Sequence, residues 1–577
     1  MRVAEAVGRA LASLGVDAVF GLLGSGNLTF TNALRDAGVP FHAARHEGGA
    51  ICMADGYARV SGRLAACSVH QGPGLTNAVT GLTEAAKSRT PLLVLAADTP
   101  AAALRSNFRI DQSALVEAVG AVSERVHGPA TAMVDVARAV RRAQVERRAV
   151  VLMLPLDVQA AECDPALPPP LPELAPPRPG SVDALAALLA AAERPAIIAG
   201  RGAVLAGAGP ALRELGERCG AVLATSAVAN GLFADDPHAL GIAGGFSSPL
   251  AARLLRESDV VVAFGAALNQ WTTRHGTLIA NGTRVAQVDL DGDAIGAHRS
   301  VDVGVVGDAR ETALALLAAF GPGDRNGSGT PVEPGDRSRP GMPVEPGDRS
   351  GPGTPVEPLG AGRRTEGLAA EIAAGGWHDE PYEDGAAPGR LDPRTLTIAL
   401  DELLPLERTV VVDSGHFMGW PSMYLRTPDA AGFVFPQAFQ CVGLGLGNAI
   451  GAALARPDRL TVATVGDGGM LMALPELETL GRLGLPLLVV IYDDAAYGAE
   501  VHHFRPMGQA VDLAQFPATD FAALAEAAGC RGLEARDVDD LDGVREWLAV
   551  RDRPLVLDAR VDPDICADWL EEAFRGH

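Results

Sequence analysis

The sequence predicts an α/β protein of three domains, each built around a doubly wound parallel sheet. Two observations lead to this fold class. Apolar, β-branched strands run into Gly/Asp turns and then into amphipathic helices along most of the chain, which is typical of βαβ units. Two proline-rich stretches interrupt this alternation and leave three blocks of domain size. Because ligands gather at the carboxyl ends of parallel strands, we expect the functional residues there.

The first two blocks cover residues 1–165 and 183–320. Strand-like segments lie at 15–24, 64–74 and 91–98 in the first block, and at 195–203, 259–267 and 284–291 in the second. Residues 165–180 read PALPPPLPELAPPRPG, and proline favours extended backbone. This stretch is therefore predicted to be an extended connector.

The third block, residues 388–577, follows a stretch that has almost nothing to bury. Within 321–358 a twelve-residue unit rich in Pro, Gly and charge occurs three times in tandem, beginning with PGDRNGSGTPVE. This composition predicts a disordered linker, which we place at 321–387. The strand-like segments of the third block are 409–415, 460–469, 485–494 and 553–562.

Composition and charge limit the classes of partner. The 48 basic and 71 acidic residues give a net charge of −23, which argues against nucleic acid or an anionic membrane surface as the main partner. No apolar run reaches the ~18 residues of a membrane span. Seven scattered cysteines without a C-x-x-C pair argue against a disulfide scaffold or a structural zinc site, and they favour the cytoplasm.

Lys87 is the only lysine, so nearly all the positive charge is arginine. A Gly-Lys-Ser/Thr phosphate loop is therefore excluded, and a lysine Schiff base would have to form on Lys87.

Residues 461–498 carry the strongest chemical signal. A β-branched strand runs into Gly466-Asp467-Gly468-Gly469, leucines at helical spacing follow, and a second apolar strand ends in Asp493-Asp494. Twenty-seven positions separate Asp467 from Asp494, about the length of one βαβ unit, so both carboxylates should leave the same edge of the sheet. Glycines at a helix N-terminus expose N–H groups to phosphate, and carboxylates are ligands that Mg²⁺ prefers. Each pair alone would be read as a turn and a helix cap, but the whole unit predicts a magnesium–diphosphate site.

This unit resembles the thiamin-diphosphate-binding motif, which opens with GDG and closes with Asn. The closing position here is Asp494, which still offers an oxygen to magnesium. The resemblance implies three metal ligands, namely the side chains of Asp467 and Asp494 and the backbone carbonyl of Ala496. It also implies cofactor contacts from Gly466, Gly468, Gly469, Tyr497 and Gly498.

Residues 41–59, FHAARHEGGAICMADGYAR, resemble the segment that carries the catalytic glutamate of these enzymes, which maps onto Glu47. Thiamin diphosphate serves as its own electron sink, and a carboxylate on its pyrimidine ring promotes loss of the C2 proton. Alone, Glu47 would be explained as an acid favoured by a helix N-terminus. Beside the first motif it is the catalytic candidate.

Three further segments resemble cofactor contacts. In HQGPGLTN, residues 70–77, Gly72, Pro73 and Asn77 match a turn near the pyrimidine. In FQCVGLGLGNAIG, residues 439–451, Val442 matches the bulky wedge that bends the cofactor, and it is smaller than the Met or Leu common there. Gly415-His416 matches a contact near the diphosphate. The middle block resembles a central domain that binds FAD in some relatives, and the sequence does not decide whether FAD binds here.

Together these motifs are similar to the superfamily of acetolactate synthase, pyruvate oxidase and benzoylformate decarboxylase, and closest to acetolactate synthase large-subunit-like proteins. The resemblance implies decarboxylation of a pyruvate-like 2-oxo acid and transfer of the product to a second carbonyl. It also implies a homodimer or homotetramer, with the active site between the Glu47 block of one subunit and the GDGG block of another.

Several positions depart from a biosynthetic acetolactate synthase. His502-His503 stand where that enzyme has Gln-Trp, Ala96-Ala97-Asp98 replace Thr-Gly-Gln, and the lysine of its substrate channel has no counterpart. A histidine that titrates near neutrality can move a proton, although packing explains any single one equally well. The candidate substrate-facing residues are His70, Gln71, Gln112, His416, His502 and His503.

Two alternatives stay open. A non-carboligating 2-oxo acid decarboxylase, or a C–C lyase or hydrolase, would share every cofactor motif. A non-catalytic scaffold would keep the fold, but the retained Glu47, Asp467 and GDGG argue against it.

Overall fold

A computed structural model describes residues 1–164, 166–172, 175–321 and 362–575. The described residues form three six-stranded sheets whose paired strands are parallel, so the predicted fold class is confirmed. The three twelve-residue repeats lie outside the described residues. No helix in the described ranges is both long and apolar enough to cross a membrane.

The first sheet has the strand order β2-β1-β3-β4-β6-β5. Its strands are β1 (Val16–Gly21), β2 (Phe41–Ala43), β3 (Leu64–Val69), β4 (Leu92–Asp98), β5 (Val122–Arg125) and β6 (Ala149–Pro155). Strands β3, β4 and β6 are buried along their whole length because helices cover both faces. These helices are α1 (Val3–Ser13), α2 (Leu28–Asp36), α3 (Glu47–Ser61), α4 (Pro73–Asn77), α5 (Val79–Lys87), α6 (Gln112–Ala118), α7 (Ala132–Gln144) and α8 (Leu156–Ala160).

The second sheet has the order β12-β11-β10-β7-β8-β9. Its strands are β7 (Pro195–Ala199), β8 (Val222–Thr225), β9 (Ala239–Ile242), β10 (Val260–Phe264), β11 (Arg284–Asp289) and β12 (Val303–Val306). The helices around it are α9 (Asp183–Ala190), α10 (Arg201–Leu205), α11 (Gly209–Cys219), α12 (Pro249–Arg256) and α13 (Ala309–Ala319).

The predicted linker is too long at its C-terminal end. Residues 362–387 are ordered and contain helix α14 (Glu366–Ala373), whose Thr365 side chain caps the helix by accepting the N–H of Leu368. Leu368 and Ile372 pack on the core of the second domain, and the Trp377 indole donates to the carbonyl of Phe246 at 2.8 Å. The prediction of disorder is therefore wrong for this part, because a few apolar side chains suffice to dock a short helix.

The third sheet has the order β14-β13-β15-β16-β18-β17. Its strands are β13 (Arg408–Val412), β14 (Phe433–Val434), β15 (Leu460–Gly466), β16 (Leu488–Asp493), β17 (Arg531–Ala535) and β18 (Leu555–Arg560). Its helices are α15 (Pro393–Leu403), α16 (Gly419–Tyr424), α17 (Gly445–Ala455), α18 (Asp467–Met472), α19 (Pro475–Leu483), α20 (Gly498–Phe504), α21 (Phe521–Ala527), α22 (Asp542–Val550) and α23 (Trp569–Phe574).

Helices α3 and α17 join the first domain to the third. A Cβ added at Gly56 would lie 2.1 Å from the carbonyl oxygen of Asn448, and one at Gly451 would lie 1.9 Å from that of Met53. Glycine is required at both positions because the two helices approach backbone to backbone. Around this contact the apolar side chains of both domains form one continuous core.

Candidate functional site

Asp467 and Asp494 lie where the sequence predicted, at one edge of the third sheet. Strand β15 ends at Gly466 and Asp467 begins helix α18, while β16 ends at Asp493, directly before Asp494. The two strands are parallel neighbours, and Gly466 pairs with Tyr492. Their carboxyl ends therefore place both carboxylates side by side at the start of a short helix.

Glycine is needed at three positions around these carboxylates. A Cβ at Gly468 would lie 2.6 Å from the ring of Tyr497, and one at Gly469 would lie 2.5 Å from a carboxylate oxygen of Asp413. A Cβ at Gly498 would lie 2.3 Å from Asp494 Oδ2. No side chain therefore covers the backbone N–H groups beside the two carboxylates, which suits a phosphate-bearing ligand.

The electrostatics of the pair call for a cation. Burial raises the pKa of Asp467, and the charges of Asp494 and Asp493 raise it further. Burial also raises the pKa of Asp494, although the N–H of Ala496 partly opposes this effect. Among the described residues, neither carboxylate forms a salt bridge. A divalent metal would neutralise both, so the donor set fits Mg²⁺.

The side chains alone do not complete a metal site. No group of three or more His, Cys, Asp or Glu side chains able to hold a metal occurs among the described residues. Mg²⁺ takes six oxygens and keeps several non-protein ligands, so a diphosphate, water and one backbone carbonyl would complete the shell. Ala496 lies beside the pair, and its N–H donates to Asp494 at 3.1 Å.

Val442 faces the Gly466–Gly469 turn and the carboxylates of Asp467 and Asp494, which together we call the seat. A Cβ at Gly469 would lie 3.3 Å from Val442 Cγ1. On its C-terminal side, Asp413 accepts the N–H of Gly443 at 2.9 Å and that of Leu444 at 3.1 Å. Burial raises the pKa of Asp413 to about 6 against the opposing effect of these N–H donors.

His416 is a neutral hydrogen-bonding group. Its Nε2 accepts the N–H of Ala567 at 3.0 Å, so the proton of the neutral ring is on Nδ1, on the side of Gly498. Burial and the neighbouring His502 lower its pKa to about 3. The expectation of a histidine that titrates near neutrality is therefore wrong for His416, because the ring is enclosed by protein.

Two further candidate histidines, His502 and His503, lie apart from the seat. The ring of His502 lies against that of His416, with centroids 4.4 Å apart and the planes tilted by 34°, and burial lowers the pKa of His502 as well. His503 stacks on Phe574 at 3.9 Å. His502 supports His416, and His503 packs on the C-terminal helix α23.

The lowered pKa of His416 predicts a pH dependence of stability. Its pKa is 6.5 in the unfolded chain and about 3 when folded. The contribution of His416 to the free energy of unfolding is therefore fully present above pH 6.5, and it falls at lower pH by up to about 1.4 kcal/mol per pH unit. We expect the His416→Gln variant to lose less stability between pH 6.5 and 4 than the parent in urea unfolding. The His503→Gln variant is the control, and equal slopes for His416→Gln and the parent would contradict this assignment.

Glu47 begins helix α3 at the carboxyl edge of the first sheet. The backbone just before Glu47 is held by the third domain, because the carboxylate of Glu476 accepts the N–H of His46 at 2.8 Å. Glu47 is buried, and its Oε2 accepts from the Asn77 side chain at 3.0 Å. A Cβ at Gly74 would lie 3.4 Å from the other oxygen. The structure thus brings Glu47 together with Asn77 and the Gly72-Pro73-Gly74 turn, as predicted.

His70 lies beside this group and has a partner that sequence reasoning missed. Its Nδ1 is 2.9 Å from the carbonyl of Gln71, so Nδ1 carries the proton and Nε2 is free to accept. Ser25 Oγ lies 3.5 Å from that Nε2. The GSGN stretch at residues 24–27, shortly after β1, was the available signal for Ser25.

The two glutamines differ in what they can do. Gln112 is buried, its Oε1 accepts the N–H of Gly72 at 2.9 Å, and its Nε2 donates to the carbonyl of Ala97 at 3.0 Å. One end of the amide therefore holds Gly72 of the turn and the other end holds Ala97 of β4, and a role of Gln112 toward substrate stays a prediction. Gln71 is buried with its Oε1 lacking a partner among the described residues.

A cavity of about 1810 Å³ contains the third-domain half of the site but not the first-domain half. Asp467, Asp494, Val442 and His416 line it, together with Tyr497. The cavity also reaches the first domain, but at the amino ends of the strands of the first sheet, where Arg89 and Arg148 lie just before β4 and β6. The candidate residues at the carboxyl edge of the first sheet do not line this cavity; they are Glu47, His70, Gln71, Asn77 and Gln112. One chain therefore does not bring the two halves into one cavity.

Comparison with family models covers all three domains. Residues 1–117 match the N-terminal TPP binding domain of thiamine pyrophosphate enzymes, residues 182–316 match the central domain, and residues 413–559 match the C-terminal TPP binding domain. The chain belongs to the thiamine pyrophosphate enzyme family. It is thus a thiamin-diphosphate-dependent enzyme, and the family predicted from the motifs is confirmed.

Relatives of this thiamine pyrophosphate enzyme carry more than one reaction name. Sulfoacetaldehyde acetyltransferase of Rhodobacter capsulatus is 30% identical, over 95% of this chain and 92% of that protein. A probable acetolactate synthase large subunit of Methanocaldococcus jannaschii is 28% identical, over 98% of this chain and 92% of that protein. A solved structure of a thiamine diphosphate-dependent 4-hydroxybenzoylformate decarboxylase from Rhodococcus jostii superposes with a TM-score of 0.77. It covers 97% of this chain and 99% of its own at 22% identity, which supports the fold.

Proposed function

We propose that this enzyme uses magnesium and thiamin diphosphate to decarboxylate a pyruvate-like 2-oxo acid and transfers the remaining acyl group to a second carbonyl compound. The observation that carries the proposal is the buried pair Asp467 and Asp494, which has no cationic partner in the described chain and lies beside a glycine cradle. The relatives named acetolactate synthase and acetyltransferase support acyl transfer.

The residues have separate tasks in this proposal. When bound, thiamin diphosphate supplies the nucleophilic carbon and the electron sink. Asp467, Asp494 and the carbonyl of Ala496 would hold magnesium, and the Gly466–Gly469 turn and the Nδ1–H of His416 would bind the diphosphate. Val442 would press against the middle of the cofactor. Glu47, oriented by Asn77, would hold and return a proton at the pyrimidine.

One observation favours the alternative of a non-carboligating decarboxylase or C–C lyase. The hydroxyl of Ser25 lies 3.5 Å from the Nε2 of His70 at the Glu47 edge, and these two groups beside the site would suit protonation of the product instead of its capture by a second carbonyl. Such a reaction releases an aldehyde.

Incubation with pyruvate, magnesium and thiamin diphosphate distinguishes these functions. We expect acetolactate, measured as acetoin after acid decarboxylation. Acetaldehyde without acetoin would establish the alternative. No turnover of any 2-oxo acid would leave the scaffold hypothesis.

We further propose that the working unit is a homodimer, alone or within a homotetramer, with each active site shared between two chains. The Glu47 half and the Asp467 half lie outside a common cavity in one chain. Each half is also surrounded by exposed apolar side chains, as expected of surfaces that a second copy covers. These are Leu23, Leu28, Leu104, Phe108 and Ile110 around the first half, and Phe439, Leu471, Met472 and Tyr497 around the second.

Mixing two inactive variants tests the shared site. If Glu47→Gln and Asp467→Asn chains exchange subunits, each mixed dimer gains one site with both native residues, so about a quarter of the sites should regain activity. A mixture of Asp467→Asn and Asp494→Asn chains is the control, because both variants lack the same half. Failure of the first mixture, with mixed dimers shown by mass spectrometry, would place the whole site in one chain.

The central domain leaves the FAD question open to a direct test. The cavity runs along the carboxyl ends of β7, β10 and β11 and reaches Gly202, Gly265 and Asp289, where α/β sheets commonly bind nucleotides. A flavin spectrum released from the purified protein by heat would assign FAD to this crevice. A colourless protein that takes up no added FAD would exclude it.

We also propose that the enzyme resides in the cytoplasm, because its cysteines are free thiols among the described residues.

A further inference from the structure

The loop that carries Val442 depends on contacts from elsewhere. Residues 438–440 are exposed, and Gln440 has φ +57, a left-handed conformation that a side chain disfavours. Such a conformation persists only where surrounding contacts fix it. On its C-terminal side the loop is fixed by Asp413 of the same domain, as described above.

On its N-terminal side the loop is fixed by the first domain. Glu84 of helix α5 is only 1% exposed, and its Oε2 accepts the backbone N–H of Phe439 at 2.7 Å. Its other oxygen accepts from the Ser88 hydroxyl at 2.7 Å and from the Arg59 guanidinium at 2.8 Å. Burial works against ionisation of Glu84, but the charge of Arg59 and these hydrogen bonds outweigh it and lower the pKa. A buried, charged acceptor therefore holds a peptide three residues before Val442.

The only lysine of the chain reinforces this contact. Lys87 is on the same helix as Glu84, and its Nζ lies 5.9 Å from the centroid of the Phe439 ring. Both side chains therefore reach the same loop residue, one through its backbone and one through its ring. Lys87 forms no salt bridge within the described residues and lines the cavity.

We propose that Glu84 and Lys87 are positioning residues that clamp the Val442 loop, so that the first domain sets the shape of the cofactor seat in the third domain of the same chain. This inference rests on the proposed role of Val442 at the cofactor. The clamp has two sides, with Asp413 holding Gly443 and Leu444 and with Glu84 holding Phe439. Gln440 and Val442 are fixed between them.

The experiment compares Glu84→Ala, Glu84→Gln and Lys87→Met with a matched control, Glu124→Ala. Glu124 is a similarly buried glutamate of the first domain, paired with Arg138 and Arg142, and none of its hydrogen bonds or ion pairs reaches the Val442 loop. Hydrogen exchange of residues 437–444 in the cofactor-free protein reports the loop itself. Calorimetric titration with thiamin diphosphate in the presence of MgCl₂ reports the seat.

We expect faster exchange of this segment in Glu84→Ala and Glu84→Gln, and ordinary exchange in Glu124→Ala. Affinity for thiamin diphosphate should fall about tenfold in Glu84→Ala, because this is the affinity change that corresponds to the loss of one hydrogen bond to a charged group. In Lys87→Met it should fall about threefold, as for an exposed cation–π contact. Glu84→Gln preserves the volume and Lys87→Met alters only the surface, so the test does not depend on the folding of Glu84→Ala.

Parental exchange and affinity in the Glu84 variants would overturn the proposal, as would a Glu124→Ala control that loosens the loop to the same degree. If the parent protein itself bound no thiamin diphosphate, the proposed role of Val442 would fail. Loop exchange alone would then decide whether Glu84 forms a clamp.

Discussion

An Asp467→Asn substitution is expected to change two properties in opposite directions. Magnesium-dependent affinity for thiamin diphosphate should fall by about a hundredfold or more, since even partners outside the metal shell commonly cost 10–100-fold. The cofactor-free protein, in contrast, should become more stable at pH 7 by roughly 1 kcal/mol, because burial and the neighbouring carboxylates oppose ionisation of Asp467 and a neutral amide carries no charge to bury. Calorimetric titration and urea unfolding in a metal chelator measure the two effects.

The control is Asp458→Asn in the same domain, whose carboxylate is exposed and paired with Arg456. It should leave cofactor affinity unchanged and should not stabilise the protein. If Asp467→Asn kept its magnesium-dependent affinity, the assignment of the pair as metal ligands would be wrong. If it destabilised the cofactor-free protein, the carboxylates would have a partner that the present geometry does not show.

A Glu47→Gln substitution is expected to lower kcat by about 10²–10⁴-fold, the usual contribution of a positioned proton-transfer group. Affinity for thiamin diphosphate should stay within a few-fold, because the amide keeps the size of the carboxylate and can still accept from Asn77. Steady-state kinetics with the best 2-oxo acid and calorimetric titration measure the two quantities.

Glu117→Gln serves as the control, since this glutamate is exposed on helix α6 of the same domain. It should retain full turnover. A Glu47→Gln enzyme with parental kcat would remove Glu47 from the chemistry. Loss of cofactor binding with no measurable turnover would give it a role in holding the cofactor instead.

The sequence predicted those parts of the site that are local in the chain. Asp467, Asp494 and the glycines between them belong to one βαβ unit, so their spacing alone places them at one edge. Glu47 and the Gly72-Pro73-Gly74 turn were predicted from a resemblance, and they do lie together. The fold class followed in the same way from repeated strand, turn and helix signals.

Contacts between distant parts of the chain could not be predicted. The neutral state of His416 depends on Ala567, which lies 151 positions away, and the Glu84 contact with Phe439 spans 355 positions. Gln112 was predicted to face substrate because it stands in RIDQSA, at the place of a segment of the related enzymes, and that position gave no sign that both ends of its amide bond to the backbone. Burial and hydrogen-bond geometry decide such roles, and neither is written in local spacing.

The position of Lys87 has a practical consequence for labelling this protein. An amine-reactive fluorophore has two kinds of target in this sequence, the ε-amino group of Lys87 and the terminal α-amine. A Lys87→Met protein labelled in parallel would show the signal of the terminal α-amine alone. A dye on Lys87 would stand at the cavity wall beside Phe439 and report, in the native sequence, when the seat is filled.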